Sequence, residues 1–188
     1  LPGPTIRASA GDTLRVTLVN ELADLDNSEE AVTAYTYMML NSTNLHTHGL
    51  HISPSSPADD VFMHVDPGQT ATYEYVIPAD HAGGVFWYHP HSHGSSAIQT
   101  VGGAAGLLII DDAENEVPPE VAAMEDVVLI MNHMDMATMV SIQQGVSSTW
   151  ANAWADQLWK ITGTTEGVML VNGQTDPTMV MAPNTWYR

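Results

Sequence analysis

The chain has 188 residues, enough for one well-buried domain and part of a second at the usual span of about 100 to 200 residues per domain. Its 4 Lys+Arg against 22 Asp+Glu give a formal charge of -18, which excludes nucleic acid as an expected partner and disfavours an anionic membrane surface, since both need basic contacts. Zero cysteines exclude disulfides, thiolate nucleophiles, thiolate zinc sites and, within these residues, the blue-copper centre that needs a Cys ligand. An acidic surface attracts cations and equally suits a salty or extracellular medium. No apolar run approaches the roughly 18 to 20 residues of a spanning helix, so no membrane span is expected. With no initiator methionine and no charged-then-apolar leader, the chain is expected to be either mature or a piece of a longer one.

In chain order, Gly11-Asp12 reads as a turn, and Thr13 to Asn20 alternates polar and apolar like a half-buried strand. Glu21 to Glu30 is polar, acidic and loop-like. Asn44 to Ile52 reads as a second strand carrying the pair His46/His48, and a Pro/Ser-rich loop follows from Ser53 to Asp60. Asp66-Pro67-Gly68-Gln69 is a turn, after which Thr70 to Ile77 alternates again, with Tyr73, Tyr75 and Ile77 on one face. Gly83-Gly84 precedes a strand with a second pair, His89/His91, and Gly102, Gly103 and Gly106 lead into the apolar run from Leu107. Residues 113–120 are acidic and proline-bearing, as a linker is. Beyond it, Asp126 to Met131 reads as a strand, and Ser148 to Lys160 as a short helix with Trp150, Trp154 and Leu158 at helical spacing. Val168 onward reads as a strand, a turn at Asn172-Gly173 and an extended segment broken at Pro183-Asn184. Short strands between turn residues predict an antiparallel sandwich or Greek-key barrel over 1–112, and 121–188 is too short for a second of that size.

Two His-x-His pairs, each followed closely by glycine, carry the chemistry. Alternation along a strand turns both imidazoles of a pair the same way, which is half of a metal cluster. Imidazole suits zinc, copper, iron and nickel, so ligand type leaves the metal open. A histidine-ligated zinc site remains one reading, with Asp59/Asp60 the only obvious carboxylate to assist a metal-bound water. His51, His64, His81 and His133 read as surface or hydrogen-bonded residues. Met131, Met134, Met136 and Met139 around His133 offer thioethers suited to Cu(I), although methionine more often fills core gaps.

The flanking residues add a resemblance. P-G-P-T-I-R at 2–7, G-D-T-L-R-V at 11–16, N-L-H-T-H-G-L at 44–50, D-P-G-Q-T-A-T-Y at 66–73, W-Y-H-P-H-S-H-G at 87–94 and Q-T-V-G-G-A-A-G-L-L-I-I at 99–110 stand in one order. Together they resemble the first cupredoxin domain of the multicopper oxidases, the laccase-like family. V-N-G-Q-T-D-P-T-M at 171–179 and the closing W-Y-R resemble the early part of that family's second domain. The resemblance implies an all-β fold: a cupredoxin-like Greek-key β-sandwich or barrel over 1–112, a linker at 113–120, and an incomplete second cupredoxin-like segment with a short helix over 121–188. It implies copper, with His46 on the type 2 ion and His48, His89 and His91 on the type 3 pair. Asp59, or else Asp60, takes the place of the acidic residue that delivers protons to oxygen, and His93 a supporting or rim role. Thr47 stands where the family often has Trp, and Pro90 where Ser is common; both lie between ligands and are expected to affect packing rather than ligation.

The implied reaction is one-electron oxidation of a small-molecule or metal-ion substrate coupled to reduction of O₂ to water. The remaining cluster ligands and the type 1 copper are then expected in a C-terminal domain, so the chain alone is expected to be inactive, and the resemblance suggests a periplasmic or extracellular location. The rival readings are a copper-binding or storage module without turnover and a structural relative without redox chemistry.

Overall fold

Alternation in the sequence becomes alternation in burial, as the computed structural model shows for residues 2–23, 39–134 and 167–188. The first strand, β1, is Ile6–Ala8, and β2 follows at Thr13–Val19, where Leu14, Val16 and Leu18 turn inward while Thr13, Arg15 and Thr17 face solvent. β3 is His46–His48, β4 is Thr70–Val76, β5 is Gly84–His89 and β6 is Gly106–Ile110. β2 and β4 pair antiparallel with Val16 opposite Tyr73 and Leu14 opposite Tyr75, and both tyrosines are fully buried. The other sheet has the order β1-β6-β5-β3, in which β1 runs parallel to β6 and the other pairs are antiparallel.

Successive strands from β1 to β5 alternate between the two sheets, and the core lies between them. One cluster joins Ala8, Leu108 and Ile110 to Ile77 and Leu14; another joins Leu45 and Ala58 to Tyr73 and Tyr75, with Tyr88 touching both. Burial of the Tyr75 phenol pushes its pKa up, so it stays neutral. This is the all-β sandwich that the strand pattern predicts, with the cupredoxin-like architecture that the resemblance implies.

Several elements differ from the sequence reading. The strand expected over Asn44 to Ile52 is only His46–His48, because Gly49 adopts φ +97° and turns the chain away. Thr43 instead makes an isolated bridge to Val65. A helix, α1 at Ser96–Val101, was not expected; Ser95 before it and Gly102-Gly103 after it stand where start and stop signals fall, although the Ser95 hydroxyl donates to Ser42 O rather than to the helix. Another short helix, α2 at Pro119–Ala122, begins inside the stretch read as a linker.

The strand expected over Asp126 to Met131 lies further on, as β7 at Met131–Met134, paired antiparallel with β8 at Val168–Val171. Its earlier part is extended but outside the ladder: the Asn172 side chain accepts from Ile130 N–H and donates to Val128 O, and Val127 N–H donates to Arg188 O. Asn172 and Gly173 form the expected turn with φ +50° and +79°. Met134 is buried and Met131 exposed, so only the first acts as a core filler. Met136, Met139, the Ser148 to Lys160 helix and residues 24–30 of the acidic loop lie outside the described residues.

Candidate metal centre

Strand pairing builds the site. In the β3–β5 register His46 stands directly opposite His89 and His48 opposite Trp87, so one face of the sheet carries three imidazoles and an indole. The His46 ring lies 5.5 Å from His48, 5.2 Å from His89 and 5.0 Å from His91 between centroids. The Trp87 ring stacks on His89 at 4.0 Å and on His48 at 5.0 Å. Ligand nitrogens of His46, His48 and His89 all lie within 4.8 Å of one another.

Hydrogen bonds select which nitrogen of each ring is available. His46 Nδ1 lies 2.8 Å from Asp59 Oδ2, an acceptor, so Nδ1 carries a proton and Nε2 is the nitrogen that a neutral ring leaves bare. His89 Nδ1 donates to Pro90 O at 2.9 Å, which leaves its Nε2 bare as well. That Nε2 is 3.3 Å from His48 Nδ1. Two nitrogens about 2.0 to 2.1 Å from one ion at a tetrahedral angle are about 3.3 Å apart, so this pair fits a shared imidazole-loving cation. Burial, reinforced by the neighbouring imidazoles and opposed by the bond to Pro90, pulls the His89 pKa below its ordinary value and keeps the ring in the neutral form a metal requires.

The loop carrying Asp59 is fastened to the sandwich. Glu74 N–H of β4 donates to Pro57 O at 2.8 Å, Asp59 N–H donates to Ser53 O at 3.0 Å, and Ala58 is buried against Leu45, Tyr73 and Tyr75. Asp59 therefore reaches His46, whereas Asp60 accepts from Phe62 N–H and serves its own turn. Thr47 does point away from the cluster and is buried, as alternation requires, but it also donates to Asp59 Oδ1 from its amide and its hydroxyl.

His91 follows the end of β5, and its position comes from elsewhere. Its N–H donates to Asn44 Oδ1 at 2.6 Å, while Asn44 Nδ2 donates to Val61 O and Met63 O, each at 2.9 Å. The buried Asn44 amide thus uses all three bonds to tie the 61–63 backbone to His91. Sequence reasoning missed Asn44 and Trp87, for a lone Asn before a histidine pair has no distinguishing pattern. His93 likewise lies beyond β5: Pro90 contributes no N–H to extend the ladder, and His93 occupies the turn whose Ser92 carbonyl accepts from Ser95 and Ser96 N–H.

The other histidines are hydrogen-bonded or exposed, as expected. Buried His81 accepts from His51 N–H at Nε2 and donates from Nδ1 to Ala82 O, His64 contacts Ser92 Oγ at 3.0 Å, and His133 is exposed on β7.

Residues 23–115, which contain both histidine pairs and Asp59, match the family model described as multicopper oxidase. The chain is 28% identical over 177 residues to a multicopper oxidase of Staphylococcus epidermidis, covering 94% of this chain and 32% of that protein. It is 34% identical over 114 residues to Laccase-4 of Thanatephorus cucumeris, covering 60% of this chain and 18% of that protein. A solved multicopper oxidase from Campylobacter jejuni, described as a metallo-oxidase, aligns with a TM-score of 0.49 at 25% identity over 68% of this chain and 22% of its own. The chain thus spans about a third or less of the proteins it matches. The residues that carry both histidine pairs and Asp59 thus match the multicopper oxidase family.

Proposed function

We propose that residues 1–112 form one wall of a trinuclear copper cluster, with His46 on the type 2 ion and His48, His89 and His91 on the type 3 pair. The observation that supports it is the convergence of His46, His48 and His89 within 4.8 Å. Bound copper supplies one-electron redox chemistry toward O₂. The residues of this chain supply the rest: His89 and His46 hold their protons on the outward Nδ1 atoms and present bare nitrogens, and the Trp87 ring covers His89 and His48. Asp59, 2.8 Å from His46 Nδ1 and only partly exposed, is the group that would pass protons toward the site.

In the whole protein the proposed reaction is oxidation of a small-molecule or metal-ion substrate coupled to reduction of O₂ to water. The type 1 copper needs a cysteine that these 188 residues lack, so it and the remaining ligands belong to a further cupredoxin domain. Residues 113–120 are proposed as a linker and 121–188 as the beginning of a second cupredoxin-like domain. A periplasmic or extracellular location is proposed with the family reading; among the described residues no helix is long and apolar enough to cross a membrane.

Metal analysis with electron paramagnetic resonance tests this. The full-length protein is expected to bind copper with nitrogen ligation and to turn over, and the isolated 188-residue chain to bind copper without oxidising phenols or metal ions. Tighter binding of zinc than of Cu(II) at the histidine cluster, or oxidase activity of the isolated chain, would contradict the proposal.

A further inference from the structure

Thr47 is 2% exposed and lies between two histidines of β3, on the face away from the cluster. A residue so placed ordinarily only packs. Here its hydroxyl donates to Asp59 Oδ1 at 3.1 Å and its backbone N–H donates to the same oxygen at 2.8 Å. The second oxygen, Oδ2, is left to accept from His46 Nδ1 at 2.8 Å. A carboxylate turns easily about its last torsion, which is broad and roughly two-fold, so a single contact would leave its orientation soft. Two donors converging on one oxygen remove that freedom. The Asp59 and His46 side chains are only 11% and 18% exposed, so water competes weakly for either oxygen.

We propose that Thr47 is a positioning residue: its hydroxyl and amide together pin Asp59 so that Oδ2 keeps the proton on His46 Nδ1 and turns the bare Nε2 into the cluster. The consequence for copper rests on the reading given under Proposed function, whereas the tautomer of His46 does not. Partners that orient a ligating histidine typically contribute about 10- to 100-fold in metal affinity, and Thr47, acting through Asp59, belongs at the lower end, about 10-fold.

The test uses full-length protein carrying ¹⁵N-labelled histidine. Long-range ¹H–¹⁵N correlation of the metal-free protein reads the His46 tautomer, with His46→Gln assigning the signals, and titration with Cu(II) alone reads affinity. In the parent and in Thr47→Ser the Nδ1–H tautomer is expected with equal affinity. In Thr47→Val, which keeps the shape and the amide donor but loses the hydroxyl, the Nε2–H tautomer is expected to appear and Cu(II) binding to weaken about 10-fold. Thr47→Ala is read in the same way should Thr47→Val fail to fold. Parent-like tautomer and affinity without the hydroxyl would overturn the proposal, as would a defect in Thr47→Ser equal to that in Thr47→Val. If the parent binds no copper while the tautomer still follows residue 47, the copper reading falls and the positioning role stands.

Discussion

At the residue scale the site depends on groups that hold its histidines as much as on the histidines. Asn44 makes three bonds from a buried position, one of them to the His91 backbone. Asn44→Ala leaves Val61 O, Met63 O and His91 N–H without a partner, and buried orphans cost about 1 to 3 kcal/mol each before relaxation or water entry. A loss of about 3 kcal/mol in a denaturant titration is expected, with copper affinity lowered as His91 is freed. A loss below about 0.5 kcal/mol would show that water replaces the amide. Proton uptake gives a second expectation. The pKa of His89 is lowered by folding, so between its ordinary and folded values the unfolded chain binds a proton that the folded chain refuses. The metal-free fold therefore keeps its full stability above the ordinary imidazole range and loses part of it as pH falls through that range. Thermal melts from about pH 7.5 to pH 5.5 should show the decline, and His89→Gln should flatten it.

At the element scale, alternation is the part of the fold most legible beforehand. β2 and β4 follow their period-two pattern residue by residue, with Tyr73, Tyr75 and Ile77 inward, and the same period aligns His46 with His48. The rest depends on distant partners. His91 is placed by Asn44, 47 residues earlier, and β7 begins late because the Asn172 side chain, 42 residues away, takes the backbone of Val128 and Ile130 out of the ladder. Nothing local to Asp126–Met131 distinguishes an extended segment bonded to a side chain from a strand bonded to a strand. Asp59 was suggested by family resemblance, but its partner His46 depends on how the 53–60 loop folds onto β4. Since β6 joins β1 to β5 and its Leu108 is fully buried, Leu108→Ala is expected to cost about 2 to 5 kcal/mol. Copper affinity should be kept where the variant is folded, because Leu108 pairs with Phe86 rather than with a histidine.

At the scale of the whole molecule, two of the chain's four cationic residues, Arg7 and Arg188, stand where chain segments meet. Arg7 bonds Asp111 at 2.8 Å and also Asp126; Arg188 bonds Asp126 at 2.7 Å and also Asp112. These groups join the end of the first sandwich to the segment after it, yet they are substantially exposed, so water and salt screen each pair and none anchors the fold. The sandwich instead rests on the core between its sheets, and that core carries the strand register that brings the histidines together. We propose that this register, together with the Asn44 bond that places His91, sets copper among His46, His48, His89 and His91. Anomalous diffraction at the copper edge from crystals of copper-loaded full-length protein tests it most directly. The predicted result is anomalous density within coordination distance, about 2.0 to 2.1 Å, of nitrogens from all four histidines. Copper bound elsewhere in the protein with these four imidazoles free of metal would contradict it.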